Sequence, residues 1–172
     1  MTLLVIGVCG SVAAVRVPEL VRDFKRRGFE VQCAMSNSAK NIIHPYVLEW
    51  ASENPVIEEL TGAVEHVKLC GIEGKADLLL ICPATSNTIS KIANGIDDTS
   101  ITTLAATALG SRKKIALVPA MHQSMYQNPF VKENLEKLKK AGVMILEPRI
   151  EENKAKLMDN CKIAEEVVKL LK

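Results

Sequence analysis

The sequence is poor in aromatic side chains: one Trp, two Tyr and three Phe, 3% of 172 residues. Apolar residues still make up 48%, so a full core is available, but it has to be aliphatic. No apolar run reaches the roughly 20 residues that cross a bilayer. The stretch "LLVIGV" behind Met1 is too short, and lacks the basic start, for a secretory signal. A cytoplasmic protein is expected, with no membrane partner. Charge of one sign is also missing. Lys and Arg number 22 against 20 acidic residues, a net +2, which gives no reason to expect a nucleic acid partner. The basic runs "KRR" (25–27) and "RKK" (112–114) are short and read as solvated surface. Five cysteines (9, 33, 70, 82, 161) show no CxxC or other metal-ligand spacing, so no metal is expected. Cys9, Cys33 and Cys82 lie in or beside apolar runs and read as small buried hydrophobes, not as a disulfide framework.

Apolar runs of strand length recur at 2–8, 30–35, 76–83, 114–120 and 142–148. Helical patterns alternate with them at 11–27, 86–95, 129–140 and 159–172. Strands that are apolar on both faces and alternate with helices imply a parallel sheet covered on each side. With right-handed crossovers this is a doubly wound α/β sheet, and the length suits a single domain over 1–172. Ligands in such sheets bind beyond the carboxyl ends of the strands.

Those ends carry unusual residues. After the first strand, "GVCGSVAAVRVPEL" (7–20) is not the GxGxxG dinucleotide fingerprint. Gly10 suits a tight turn, Ser11 suits a helix cap, and small neighbours such as Ala13 admit a ligand to free backbone N–H groups. After the second strand, Ser36 and its polar neighbours either bind phosphate oxygens or cap a helix. After the third, Thr85, Ser86, Asn87 and Thr88 offer more polar groups than one cap needs, which points to a polar ligand. His66 lies on the connection before that strand and reads either as a structural hydrogen-bonder or as a catalyst. After the fourth strand comes "PAMHQSMY" (119–126), in which Met121 and Met125 either fill core or pad a flat ring, and His122 and Tyr126 supply polar tips.

Together these motifs resemble the flavin-dependent cysteine decarboxylase family, which includes phosphopantothenoylcysteine decarboxylase and the lantibiotic decarboxylases. "GVCGSVAAVRVPEL" resembles the family's "G-x-T-G-x-I-A-A-x-K-x-P-E-L", and "EHVKL" (65–69) the segment with its active-site histidine. "PATSNTISKIANGIDD" (83–98) resembles "PA-x-A-N-T-x-x-K-x-A-x-G-x-x-D", and "PAMHQSMY" resembles "P-A-M-N-x-x-M-W/Y". The resemblance implies FMN as cofactor, bordered by Gly10, Ser11, Ala13 and Met121. Ser36 would meet its phosphate, and residues 85–88 would hold phosphate or ring. It implies oxidation of a substrate's thiol-bearing carbon to a thioaldehyde, which accepts the electrons released with CO₂. His66 would act as acid/base, His122 would hold the carboxylate, and Met125, Lys154 and Lys156 would touch substrate. It also implies a homotrimer or a dodecamer, with flavin at subunit contacts and the small-residue segment 86–109 against a neighbour.

Two departures stand out. His122 replaces the usual Asn, and "PRIEENKAKL" (148–157) replaces a Cys-containing flap. Both are similar to the archaeal branch of the coenzyme A enzymes, in which this domain is usually fused to a ligase. The chain would then be a free-standing first half that decarboxylates phosphopantothenoylcysteine. The alternative is an electron-transfer flavoprotein of the same fold, which the missing Cys favours and His66 opposes.

Overall fold

The computed structural model describes residues 1–172. Five parallel strands form one sheet: β1 (Leu3–Val8), β2 (Glu30–Met35), β3 (Leu78–Ala84), β4 (Lys114–Pro119) and β6 (Met144–Ile145), in the order β2-β1-β3-β4-β6. The chain starts in the middle of the sheet and winds outward both ways, as expected of a doubly wound fold. Alternation along each strand sends side chains to two separate cores. Leu4, Ile6, Leu78, Leu80 and Val118 join one, with α1 (Val17–Arg26), α3 (Pro45–Ser52) and α9 (Asn160–Leu171). Val5, Leu79, Ile81 and Leu117 join the other, with α5 (Ser86–Ala93), α6 (Ser100–Gly110) and α8 (Pro129–Lys140). No helix is long and apolar enough to cross a membrane.

The five expected strands are present within a few residues. The helix expected over 11–27 begins as a 3₁₀ turn, Val12–Arg16, and becomes α1 at Val17. Pro18 fits the first turn, where its missing N–H costs nothing. Val17, Leu20, Val21 and Phe24 then fall on one buried face, and Gly28 closes the helix at φ +85°. The short helices α2 (Asn37–Lys40) and α4 (Glu65–Cys70) fill the long crossover to β3, and α7 (Gln123–Tyr126) is a single turn before α8.

One reading needs correction. Segment 86–109 is two helices, α5 and α6, broken at Asn94–Thr99 with Gly95 at φ +68°. Thr99 and Thr102 close a reciprocal capping box that starts α6 afresh. Of its small residues, Thr103, Ala106 and Thr107 stay partly exposed, whereas Ala105 and Ala108 are buried in this chain's own core. They are small because the helix lies close: a Cβ on Gly7 would sit 3.2 Å from Ile101 Cγ2.

A second, three-stranded sheet lies beyond β4. In it, β5 (Met121–His122) pairs with β8 (Lys154–Lys156), which pairs with β7 (Arg149–Glu151), all antiparallel. The β7–β8 turn runs through Glu152 and Asn153, at φ 50° and 56°, the left-handed pair that matches strand twist in a two-residue hairpin.

Phe24 is fully buried and meets Phe29 edge-on at 5.8 Å, a rare aromatic contact in an aliphatic core. Phe24→Ala is expected to cost about 3–5 kcal/mol of stability, measured as a lower denaturation midpoint at unchanged slope.

Candidate active site

Parallel strands send every carboxyl end to the same edge, and the ends of β1, β2 and β3 each feed a helix start. Ser11 caps the 3₁₀ turn, its Oγ accepting from the Ala13 N–H at 3.4 Å. Ser36 caps α2 by accepting from the Ala39 N–H at 3.2 Å. Thr85 caps α5 by accepting from the Thr88 N–H at 3.3 Å. Capping and ligand binding are not rival roles for these groups. A cap uses a lone pair of the hydroxyl and leaves its O–H free to donate. For Ser11 and Ser36 that proton has no partner within the chain, whereas Thr85 donates its own to Thr88 Oγ1 at 3.1 Å.

The helix starts surround a cavity of about 410 Å³. Gly10, Ser11, Ser36, residues 85–88, Thr99 and Thr102 line it, and Ala120, Met121 and Met125 form its apolar wall. No carboxylate lines it. Its one cation, Lys91, is held by both oxygens of Asp98 at 2.7 and 2.9 Å. The cavity therefore presents hydroxyls, amides and helix-start N–H groups, a donor set suited to an anionic group with a flat apolar portion beside it.

A second cavity, about 450 Å³, shares Ser11, Ala120 and Met121 with the first. Ala13, His122 and the small sheet line it, together with Arg16, Arg149, Lys154 and Lys156 and no carboxylate. His122 is placed by backbone pairing to Lys154. Its Nδ1 accepts from the Ser124 N–H at 3.3 Å and lies 2.8 Å from Ser124 Oγ, which leaves Nε2 for a ligand.

The sequence profile of the Flavoprotein family matches residues 2–172. The chain belongs to the Flavoprotein family. Over 169 residues it is 53% identical to the coenzyme A biosynthesis bifunctional protein CoaBC of Thermococcus kodakarensis, covering 98% of this chain and 42% of that protein. It thus spans about two fifths of that relative's length. It is 33% identical to a probable phosphopantothenoylcysteine decarboxylase of Streptococcus mutans, over 85% of this chain and 82% of that one. Among solved structures, the FMN-dependent cysteine decarboxylase SpaF superposes with a TM-score of 0.85 at 28% identity, over 99% and 97% of the two chains.

In this flavoprotein, Gly10, Ser11, Ser36, Thr85, Ser86, Asn87, Thr88, Met121 and Met125 share the first cavity, while Ala13, His122, Lys154 and Lys156 line the second. His66 lines neither; it lies on α4, with Nδ1 buried and unpartnered. Tyr126 does not tip into the site. It is buried and donates to Glu147, and the buried phenol and neighbouring carboxylate together push its pKa up. Lys156 is bound to its own hairpin, at 2.7 Å from Glu152 and 3.3 Å from Glu151, so Lys154 is the flap lysine without an ion pair. Arg16, Lys91, Arg149, Thr99 and Thr102 escaped the sequence reading. Arg16 and Lys91 stand where the quoted family motifs have Lys; Arg149 had no such signal.

No thiol takes the place of the missing flap cysteine. Cys9 lies beneath the first cavity without lining it, and burial pushes its pKa up to about 11.

Gly10 is required for close approach. A Cβ there would sit 2.4 Å from Ser38 Cβ and 3.0 Å from the Ser38 backbone carbon. Gly10→Ala is expected to cost about 1–3 kcal/mol by overpacking and to force apart the turns after β1 and β2. A melting temperature equal to wild type would count against that contact.

Proposed function

We propose that the chain is an FMN-dependent carboxy-lyase acting on 4′-phosphopantothenoylcysteine. The observation that carries this reading is the pairing of two adjoining cavities, one lined by neutral donors and one cationic, that meet at Ser11, Ala120 and Met121. The first suits FMN. Ser11, Ser36 and the starts of the 3₁₀ turn, α2 and α5 would receive its phosphate and polar edge, and Met121 and Met125 would lie against its ring. Bound FMN would supply a two-electron acceptor that returns its electrons within the same turnover. The relatives support the substrate: one bears a coenzyme A biosynthesis name and another a decarboxylase name. Neither name supports the electron-carrier reading.

The chain's own groups then divide the work. His122 Nε2 holds the carboxylate that leaves as CO₂. The small sheet covers the cationic cavity and excludes water. His66 takes the proton of the substrate thiol, and for that it must reach the site from another copy of the chain. Its absence from both cavities, its unpartnered Nδ1 and the exposed Val64 and Val67 beside it all support a shared site. The assembly proposed with this site is a homotrimer or a multiple of it, in the cytoplasm, where five free thiols are at home.

The test is CO₂ release and product mass from the FMN-loaded protein mixed with 4′-phosphopantothenoylcysteine. His66→Asn should keep flavin and lose turnover by a factor of about 10² to 10⁴. His122→Asn should retain measurable turnover, because an amide can still donate to the carboxylate. Normal CO₂ release from flavin-replete His66→Asn would remove His66 from the mechanism. Light scattering should give a mass that is a multiple of three chains; an active monomer would contradict the shared site.

A further inference from the structure

The cationic cavity has more structure than two flap lysines. Two polar atoms beside it are buried without a hydrogen-bond partner, Arg149 Nε and Asn160 Oδ1. Buried N–H groups left unpaired are rare and ask for a reason. Asp159 Oδ1 lies 3.3 Å from Arg149 Nη1 and 3.8 Å from Arg16 Nη2, so one carboxylate holds two guanidinium groups at the same cavity. Asn160 fixes the same corner by donating from Nδ2 to the Arg16 carbonyl at 3.1 Å.

The charge there does not balance. Asp159 answers one of the two arginines, and Lys154 adds a further cation without an ion pair. Glu151 touches Arg149 Nη1 only at 3.8 Å and is closer to Lys156, at 3.3 Å. Both ion pairs of Arg149 use Nη1, which leaves Nε and Nη2 unspent. Those two N–H groups form the side-on fork that takes two oxygens of one oxyanion. The Arg149 side chain keeps 38% exposure and lines the cavity.

The geometry points to a phosphate-monoester subsite in the second cavity, with Arg149 Nε and Nη2 as a bidentate fork, Arg16 as the second guanidinium and Lys154 as the third cation. Resting on the proposed function, its ligand is the terminal phosphate of the substrate. A dianion matches this excess of charge better than a carboxylate does, and His122 is already assigned to the carboxylate. The cofactor's phosphate has its own donors in the first cavity, where no guanidinium lies.

The experiment is calorimetric titration of the FMN-loaded protein with 4′-phosphopantothenate and with pantothenate, neither of which carries the reacting thiol. The phosphorylated ligand should bind at least about 10-fold tighter. Arg149→Met and Arg16→Met should each remove about 10- to 100-fold of that preference, the range of a hydrogen bond to a charged group, and leave pantothenate binding unchanged. Arg149→Lys should recover only part, because it restores charge without the fork. Lys154→Met, which breaks no ion pair, should lower the preference even if Arg149→Met folds poorly. Equal binding of both ligands by the wild type would overturn the subsite. So would an Arg149→Met protein that loses affinity for FMN but not for riboflavin, which would assign the fork to the cofactor. Phosphate preference without CO₂ release from the full substrate would leave the subsite standing and sink the decarboxylase. Equal turnover of phosphorylated and unphosphorylated substrate would do the reverse.

Discussion

Burying a parallel sheet on both faces is the constraint on which the rest of this molecule depends. Parallel strands cannot be joined by hairpins, so each must cross over through helical structure, and the crossovers supply the cover. Leu4 and Ile6 go to one core and Val5 to the other, and the same alternation runs through β3 and β4. With almost no aromatic residues, each core is built mainly from aliphatic side chains in close contact, with Phe24 the buried aromatic in one and Tyr126 in the other. The functional consequence is geometric. Parallel order delivers the ends of β1, β2, β3 and β4, and the helix starts that follow, to one edge.

At that edge the folding requirement and the binding requirement are met by the same atoms. A helix start leaves N–H groups unsatisfied, and a Ser or Thr cap answers one of them. The capping residues of this chain could have used Asp, which caps as well. Four carboxylates at these positions would have repelled any anion. Ser11, Ser36, Thr85 and Thr99 cap without adding negative charge, so the first cavity keeps the positive ends of its helices available. Gly10 brings two of those turns into contact, and the cavity is narrow there because no side chain separates them.

How much of this was legible depends on the range over which each feature is decided. The five strands and the long helices α1, α8 and α9 follow from local periodicity, and they were readable. Most residues of the first cavity were readable because they cluster at strand ends; Lys91, Thr99 and Thr102 stand further along the chain and were not. The end of α5 was readable at Asn94-Gly95, but the separate start of α6 at the Thr99 cap was not, since small residues on both sides give no clear apolar stripe. The small sheet was missed because strands of two or three residues have no stability of their own; β8 exists only by pairing with both β5 and β7. Tyr126 was misplaced for a similar reason, as its partner Glu147 is remote in sequence. Arg149 looked like any surface arginine. Its role depends on Asp159 and Arg16, which only the folded chain brings to it.

The separation of the two cavities has its own logic on the proposed reading. Cofactor and substrate would each bring a phosphate to the same sheet edge, and a site that bound any phosphate would let either block the other. The chain uses different donors for the two. Hydroxyls and helix-start N–H groups line the first cavity, where the only lysine is neutralised by Asp98. Guanidinium and ammonium groups line the second, where Asp159 leaves positive charge unanswered. A fixed cradle of neutral donors selects by shape, because each N–H has one direction. A cluster of mobile cations selects by charge and draws an anion from a distance. A resident cofactor is served by the first kind of site and a substrate that must arrive and leave by the second. The second cavity takes its cations from both parts of the fold: Arg149 and Lys154 stand on the short strands of the small sheet, and Arg16 stands at the start of α1.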